Sequence, residues 1–174
     1  MNLALELVNS EWWRGRADGG VDKLADDEWL HAFACEGGLG DLASPNRADR
    51  RRLHELRGVL RRLVETRAAG GLEALEPFIG AAPVRRHIVG DHLEFEPVER
   101  DWRWATSEIA AAFVELIARG DTSRLNVCAN PECQWAFYDA SKNRSRRWCG
   151  SHTCGTADKV KRFRARRRVE QAAV

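Results

Sequence analysis

The 174-residue sequence contains no apolar run near the length of a membrane span, which excludes a transmembrane helix. Its opening, Met1-Asn2-Leu3-Ala4-Leu5-Glu6-Leu7, meets charge too soon for a secretory signal, so a cytoplasmic location is expected. A P-loop, a glycine-rich dinucleotide fingerprint and a nucleophile elbow are missing, as is the His-x-Glu half of the zinc deaminase pattern. His31, His54, His87 and His92 are scattered, and no acid/base pair or nucleophile constellation stands out, so the chain is read as a non-enzyme. Internal repeats and low-complexity linkers are absent too. Lysine is scarce, at 4 residues against 24 arginines, so arginine content by itself says little and its clustering says more.

What is present fits a soluble globular protein: 44% of residues are hydrophobic and 31% charged. The length suits one domain with a small appended module. Net charge is only +2, but it is unevenly divided. Between Lys142 and Arg168 eleven basic residues face Asp158 alone, a local charge of +10 that leaves −8 for the rest. An acidic body with a basic end points to two jobs, the basic end facing a polyanion.

The first 120 or so residues read mainly as helix. Leu3 to Trp13 is a short helix or extended segment; Asp26-Asp27-Glu28 opens a second helix with Trp29, Leu30 and Phe33 on one face. Ser44-Pro45 reads as the cap and first turn of a longer helix that places Leu53, Leu56, Leu60, Leu63 and Val64 at three- and four-residue steps and runs to Gly70-Gly71. Its opposite face is arginine-rich (Arg50, Arg51, Arg52, Arg57, Arg61, Arg62, Arg67) and reads as a solvated surface. Val84 to Val89 and His92 to Glu96 flank Gly90-Asp91, a two-residue turn, giving one β-hairpin expected to pack on the helices. Trp102 and Trp104 read as core, Ser107 as the cap of a last body helix carrying Ile109, Phe113, Leu116 and Ile117, and Gly120-Asp121 as its end.

Of five cysteines, Cys35 stands alone and reads as a small buried apolar residue. The other four form two pairs with four residues between partners, Cys128/Cys133 and Cys149/Cys154, separated by fifteen residues. In a reducing compartment such pairs are metal ligands rather than disulfides. Two short turns, each donating a chelating pair, give zinc its four tetrahedral ligands at little cost in loop entropy. Asn130-Pro131 and Gly150-Ser151 supply the turn residues. A four-thiolate zinc has no open position for water, so its role is structural. It carries a formal −2, which some of Arg144, Arg146 and Arg147 could offset instead of meeting a partner.

Thr156 to Val169 has good helix formers and neither glycine nor proline, so a helix launched from the last ligand is expected. Only Val160 and Phe163 are large and apolar on one side, too little to hold it by burial; the knuckle and Trp135, Phe137 or Trp148 must anchor its start. Arginine forks match phosphate and guanine edges, and a helix fits a major groove. The nucleic-acid contacts are therefore assigned to Arg144, Arg146, Arg147, Lys159, Lys161, Arg162, Arg164, Arg166, Arg167 and Arg168.

The blocks Leu125-Asn126-Val127-Cys128, Cys133 through Asn143, Arg146-Arg147-Trp148-Cys149 and Cys154-Gly155 resemble the CGNR zinc-finger domain of bacterial proteins. Leu7-Val8-Asn9-Ser10, Asp22-Lys23-Leu24 and Trp29-Leu30 are similar to the ABATE domain usually joined to it. The resemblance implies a stress-related transcription regulator with the zinc module as DNA binder and the helical body as a sensor of an unknown small-molecule effector. One departure stands out: Gly155-Thr156-Ala157 replaces the family's Gly-Asn-Arg, losing an amide and a guanidinium. The expected fold is mainly α: a helical domain over 1–121 with one β-hairpin, then a four-cysteine zinc-knuckle module over 122–174 ending in a basic helix. Duplex DNA is the expected partner and a homodimer the expected assembly; the alternative is an RNA-binding or protein-interaction module with a purely structural zinc.

Overall fold

The structure is a computed structural model and describes residues 2–13, 15–17 and 19–172. Within them the chain is mainly α, with small antiparallel strand pairs. In order come α1 (Leu3–Val8), β1 (Glu11–Trp12), β2 (Val21–Asp22), α2 (Asp27–Glu36), α3 (Arg47–Glu65), α4 (Glu76–Ile79), β3 (Val84–Val89), β4 (His92–Pro97), α5 (Trp102–Arg119), β5 (Leu125–Val127), β6 (Ala136–Tyr138) and α6 (Thr156–Ala172). The strands pair as β1-β2, β3-β4 and β5-β6. No described helix is long and apolar enough to cross a membrane.

The core lies where α1, α3 and α5 meet. Leu53, Leu56, Leu60 and Val64 of α3 interlock with Leu7 of α1 and Ile109 and Phe113 of α5, all essentially without solvent contact. Each such leucine stabilises the fold by about 1.5–3 kcal/mol through area removed from water. Leu30 and Phe33 extend the cluster from α2, and Trp29 stacks on Phe33 at 5.1 Å. Trp102 and Trp104 are buried, as the sequence implied, and the Trp102 indole N–H donates to the Ala43 carbonyl at 2.7 Å. The same core takes in Leu125 of β5 and Ala136 of β6. The segment carrying the cysteines thus grows directly out of the body.

Several expectations are corrected. α3 starts not from Ser44-Pro45 but from Asn46, whose side chain accepts from the Ala48 and Asp49 N–H groups while Asp49 accepts from the Asn46 N–H. That capping box satisfies orphan donors reciprocally, which Ser44 could not do. The helix ends at Glu65, before the glycines, where Arg67 and Ala68 turn into the left-handed region. α5 likewise starts at Asp101, which accepts from the Trp104 N–H; Ser107 lies inside the helix and donates to the Ile79 carbonyl. Cys35 is exposed, because the buried stripe of α2 runs through Leu30, Phe33 and Ala34 and leaves position 35 on the other side.

The arginine face of α3 is solvated only in part: Arg51, Arg62 and Arg67 are exposed, but Arg50, Arg52, Arg57 and Arg61 are engaged by the fold. Arg57 and Arg61 are buried. Arg57 grips Asp22 with two bonds, at 2.6 and 2.7 Å, and donates to the Ser10 hydroxyl at 3.0 Å. Arg52 reaches Thr106 and the Pro77 carbonyl, and Arg50 bonds Asp27 and the Leu24 carbonyl. The hairpin has the expected strands, with Gly90 at φ +62, but it does not pack on the helices: both faces of β3 and β4 are largely exposed.

Candidate metal centre

The β5-β6 hairpin sets the first cysteine pair. Val127 pairs with Ala136, and beyond that rung the Cys128 N–H donates to the Trp135 carbonyl at 2.8 Å, so Cys128 and Cys133 flank a tight loop at the hairpin tip. Asn130 organises the loop. Its carbonyl accepts from the N–H groups of Cys133 and Gln134, its side-chain oxygen accepts from the Glu132 N–H, and its amide donates to Cys154 Sγ at 3.4 Å. Gln134 takes φ +51 to close the turn. Of the second pair, Cys154 sits on a single π-helical turn, Ser151–Gly155, closed by the Gly155 N–H on the Gly150 carbonyl at 3.0 Å, and Cys149 lies two residues before it. Gly155 lies against the Trp148 indole, where a Cβ would come within 3.3 Å of the ring.

These turns gather Cys128, Cys133, Cys149 and Cys154 so that all four Sγ atoms lie within 4.8 Å of one another. Cys133 to Cys149 and Cys149 to Cys154 are each 3.7 Å. A disulfide would need about 2.05 Å, and all four are free thiols. A tetrahedron of metal–sulfur bonds of about 2.3 Å has edges of about 3.8 Å. The donor set therefore fits a four-coordinate metal. Cys128, Cys133 and Cys154 are buried together with Phe137, and Trp135 and Trp148 pack against them. Burial pushes the Cys149 thiol up to about 11 and the Cys133 thiol higher still. Burial acts the same way on Cys154, but hydrogen bonds from Asn130 and the neighbouring thiols outweigh it and lower that group. Sulfurs so confined ionise together only beside a compensating cation.

Behind the sulfurs a buried carboxylate holds the intervening loop. Asp139 accepts from the N–H groups of Ser141 at 2.9 Å and Arg146 at 3.0 Å, and is itself fully buried. Ser141's hydrogen bonding is the main reason its carboxyl lies below the ordinary value; burial works against this, and the Arg146 N–H and Arg124 charge add to it. Sequence reading did not single out Asp139 for this role. The aspartate is one polar residue in a polar loop, and only the fold reveals that it points inward.

The ten basic residues singled out in the sequence divide in the structure. Arg146 lies over the Phe137 ring at 4.7 Å and donates to the carbonyls of Trp148 and Cys149. Arg144 pairs with Asp121 at 2.6 Å, and Arg147 stacks over Trp148 at 5.3 Å. These three are exposed but engaged, and Lys159, Lys161, Arg162, Arg164, Arg166, Arg167 and Arg168 are likewise exposed, on α6, along with Val160 and Phe163. Arg162 reaches Asp158 at 3.0 Å one turn back, and Arg167 lies over Phe163. The Thr156 hydroxyl donates to the Ser151 carbonyl, tying the first residue of α6 to the π turn rather than accepting as a helix cap.

The body grips this centre by several bonds. Asn9 exchanges two hydrogen bonds with Ala136, its amide donating to the carbonyl at 2.9 Å and its oxygen accepting from the N–H at 2.7 Å, so that it serves as a third strand beside β6. Arg61 donates to the Gln134 carbonyl at 2.6 Å, and Arg67 reaches the Leu125 carbonyl and Asn126. The Gly15 N–H donates to Glu132, so close to Pro131 that any Cβ at position 15 would overlap its carbonyl. An open cleft of about 450 Å³ lies elsewhere, where Asn2 and Leu3 of the first helix meet Ala112, Glu115 and Leu116 of α5.

Comparison with known families agrees with both halves. The ABATE model, described as "Putative stress-induced transcription regulator", matches residues 1–120. The chain belongs to the ABATE family. The CGNR zinc finger model matches residues 124–167, which takes in all four clustered cysteines and most of α6. In this ABATE protein the cysteines fit a metal site, as a zinc finger requires. No curated protein matches the chain.

Proposed function

We propose that this chain is a zinc-dependent DNA-binding transcription regulator, with α6 as the element that meets the duplex. The observation that carries the reading is the contrast within the basic end. Arginines of the cysteine loop are tied to the zinc-finger fold through Phe137, Trp148, Asp121 and backbone carbonyls, whereas the contacts of the seven exposed cations of α6 lie within the helix, Arg162 with Asp158 and Arg167 with Phe163. A helix of this length is marginal in water unless its start is fixed, and here the π turn bearing Cys154 provides the fixed start. Zinc, held by Cys128, Cys133, Cys149 and Cys154, supplies folding energy and no open coordination position.

The charge on α6 favours phosphate contact, with guanidinium forks available for base edges. The body then serves as the regulatory half, and the cleft at α1 and α5 is where an effector would lodge. The experiment is selection from random duplex DNA with zinc-loaded protein, repeated with Arg162, Arg164 and Arg166 all changed to Ala. An enriched motif that disappears in the triple variant supports the reading. No enrichment even at low salt overturns it and favours RNA or an acidic protein as the partner.

A further inference from the structure

Half of the large apolar side chains exposed among the described residues fall between Val84 and Val98. The register of the β3-β4 hairpin sorts its residues onto two faces. Val84↔Pro97, Arg86↔Phe95 and Ile88↔Leu93 share one; Arg85↔Glu96, His87↔Glu94 and Val89↔His92 share the other. The second face is complete in itself. Arg85 stands opposite Glu96, and His87 Nε2 lies 4.0 Å from Glu94, pairs of the kind that stabilise neighbouring strands facing water. The first face is apolar except for Arg86, whose guanidinium lies over the Phe95 ring at 5.6 Å. On it Ile88 is 76% exposed, Phe95 61% and Leu93 58%. A lone two-stranded hairpin is marginal in water, and one that bares such a face needs a cover.

We infer that the same face of a second copy of this chain is that cover. The charge pattern selects the occupant. A twofold axis along the strands lays β3 of one protomer over β4 of the other, so Ile88 meets the partner's Leu93, Val84 meets the partner's Pro97, and Arg86 meets the partner's Phe95, each contact made twice. The single cation on the face then rests against an aromatic ring, and its long stem lets the guanidinium reach water at the edge of so narrow a face. The charged residues of the other face stay in water. Size sets the strength: strands of this length span about 20 Å, and a hairpin about 10 Å, so the face covers on the order of 200 Å², far below the roughly 800 Å² per partner of stable interfaces. The dimer is a weak one, formed at concentrations of roughly hundreds of micromolar and above. It presents two copies of α6 to a target, but the inference does not rest on what α6 binds.

The test uses the zinc-loaded full chain without nucleic acid. In sedimentation velocity across a concentration series reaching about a millimolar, wild type shifts from monomer towards dimer. Ile88→Lys weakens association at least about tenfold while keeping its circular dichroism and melting temperature, and Glu94→Gln on the opposite face leaves association unchanged. Wild type that stays monomeric throughout overturns the inference, as does association unaffected by Ile88→Lys or lost in Glu94→Gln. Hydrogen exchange of wild type gives a second readout that needs no variant: the amides of 84–97 exchange more slowly at high protein concentration, and equal exchange at both concentrations overturns the proposal.

Discussion

Arginines on α3 and arginines on α6 have opposite fates. On α3 several turn inward: Arg57 clasps Asp22, Arg61 reaches Gln134, and just past the helix end Arg67 reaches the segment before Cys128, while Arg51 and Arg62 stay in solvent. On α6 they point outward along a helix that makes no part of either buried cluster. The residue type is the same, so the difference lies in what surrounds it. α3 passes between carboxylates and strand carbonyls that need donors, and a guanidinium supplies five in a fixed fork. α6 passes beside nothing of the kind. The first group is structural and the second is available, and the two should respond oppositely to substitution and to salt.

The largest effect is expected from the metal, on which α6 depends and α3 does not. Chelation should melt α6 and the π turn, because structural zinc supplies about 10–16 kcal/mol of apparent folding energy in small modules. The helices around Leu56, Leu60 and Phe113 should persist, since their core contains no metal ligand. Thiol alkylation followed by mass spectrometry separates the cases. Zinc-loaded native protein should take one label, at exposed Cys35, and chelated unfolded protein should take all 5. Four or more labels on the native, metal-loaded chain would contradict a site closed by four sulfurs.

Next comes Arg57→Ala. Removing one partner of a buried ion pair costs about 3–5 kcal/mol, but the Asp22 side chain keeps 37% of its surface in water. About 2–3 kcal/mol is therefore expected, or roughly 5–10 °C in melting temperature for a chain of this length. Burial raises the Asp22 carboxyl, yet hydrogen bonds from Arg57 and the Leu24 N–H outweigh it and hold the group below its ordinary value. A carboxylate lowered in this way adds stability above its unfolded-state value and loses it as pH falls through the lowered one. The gap in stability between wild type and Asp22→Asn should accordingly be constant from neutral pH down to about 5 and close below about 4. A gap that widens on acidification would refute the role given to Asp22.

Asn9→Leu is smaller and sharper in what it reports. It deletes both bonds to Ala136 and leaves a strand N–H and carbonyl buried without partners, at a cost of about 2 kcal/mol. Zinc content should be unchanged while hydrogen exchange at β6 quickens, because Asn9 lies on the body side of the seam. Loss of zinc in this variant would mean that the body builds the metal site rather than gripping it.

How much of this was legible in advance follows from the distance between cause and effect along the chain. The four-cysteine cluster was readable because each pair is close in sequence, and so was the hairpin, whose Gly90-Asp91 turn fixes its own register. Helix starts were read less well. Ser44-Pro45 and Asn46 with Asp49 are competing start signals within a few residues, and only the reciprocal bonds of Asn46 and Asp49 decide between them. Of the arginines on α3, the solvated reading holds for Arg51 and Arg62 and fails for Arg57 and Arg61. Their partners lie 35 residues away for Arg57 and 73 for Arg61, so the pattern on the helix holds no trace of them. Arg146 and Asp139 were obscured in the same way, a cation and an acid in a polar loop whose turn buries the acid and lays the exposed cation over Phe137.

The smallest stability effect carries the most information about function. Changing Arg162, Arg164 and Arg166 together to Ala should leave the melting temperature within the range of ordinary surface substitutions, about 0.5 kcal/mol each, because Arg162 alone among them pairs with a neighbour, the half-buried Asp158. If α6 binds duplex DNA as proposed, the same variant should lose affinity and flatten its salt dependence. If six phosphates are contacted, the slope of log affinity against log salt is about −5 for wild type, and each lost contact removes about 0.9. Three lost contacts bring the slope to roughly −2.7. Arg57→Ala should do the reverse, lowering stability and leaving the slope of the protein that remains folded untouched. Should the triple variant melt early and keep the full slope, α6 would be a structural element like α3, and the division between the two sets of arginines would fail.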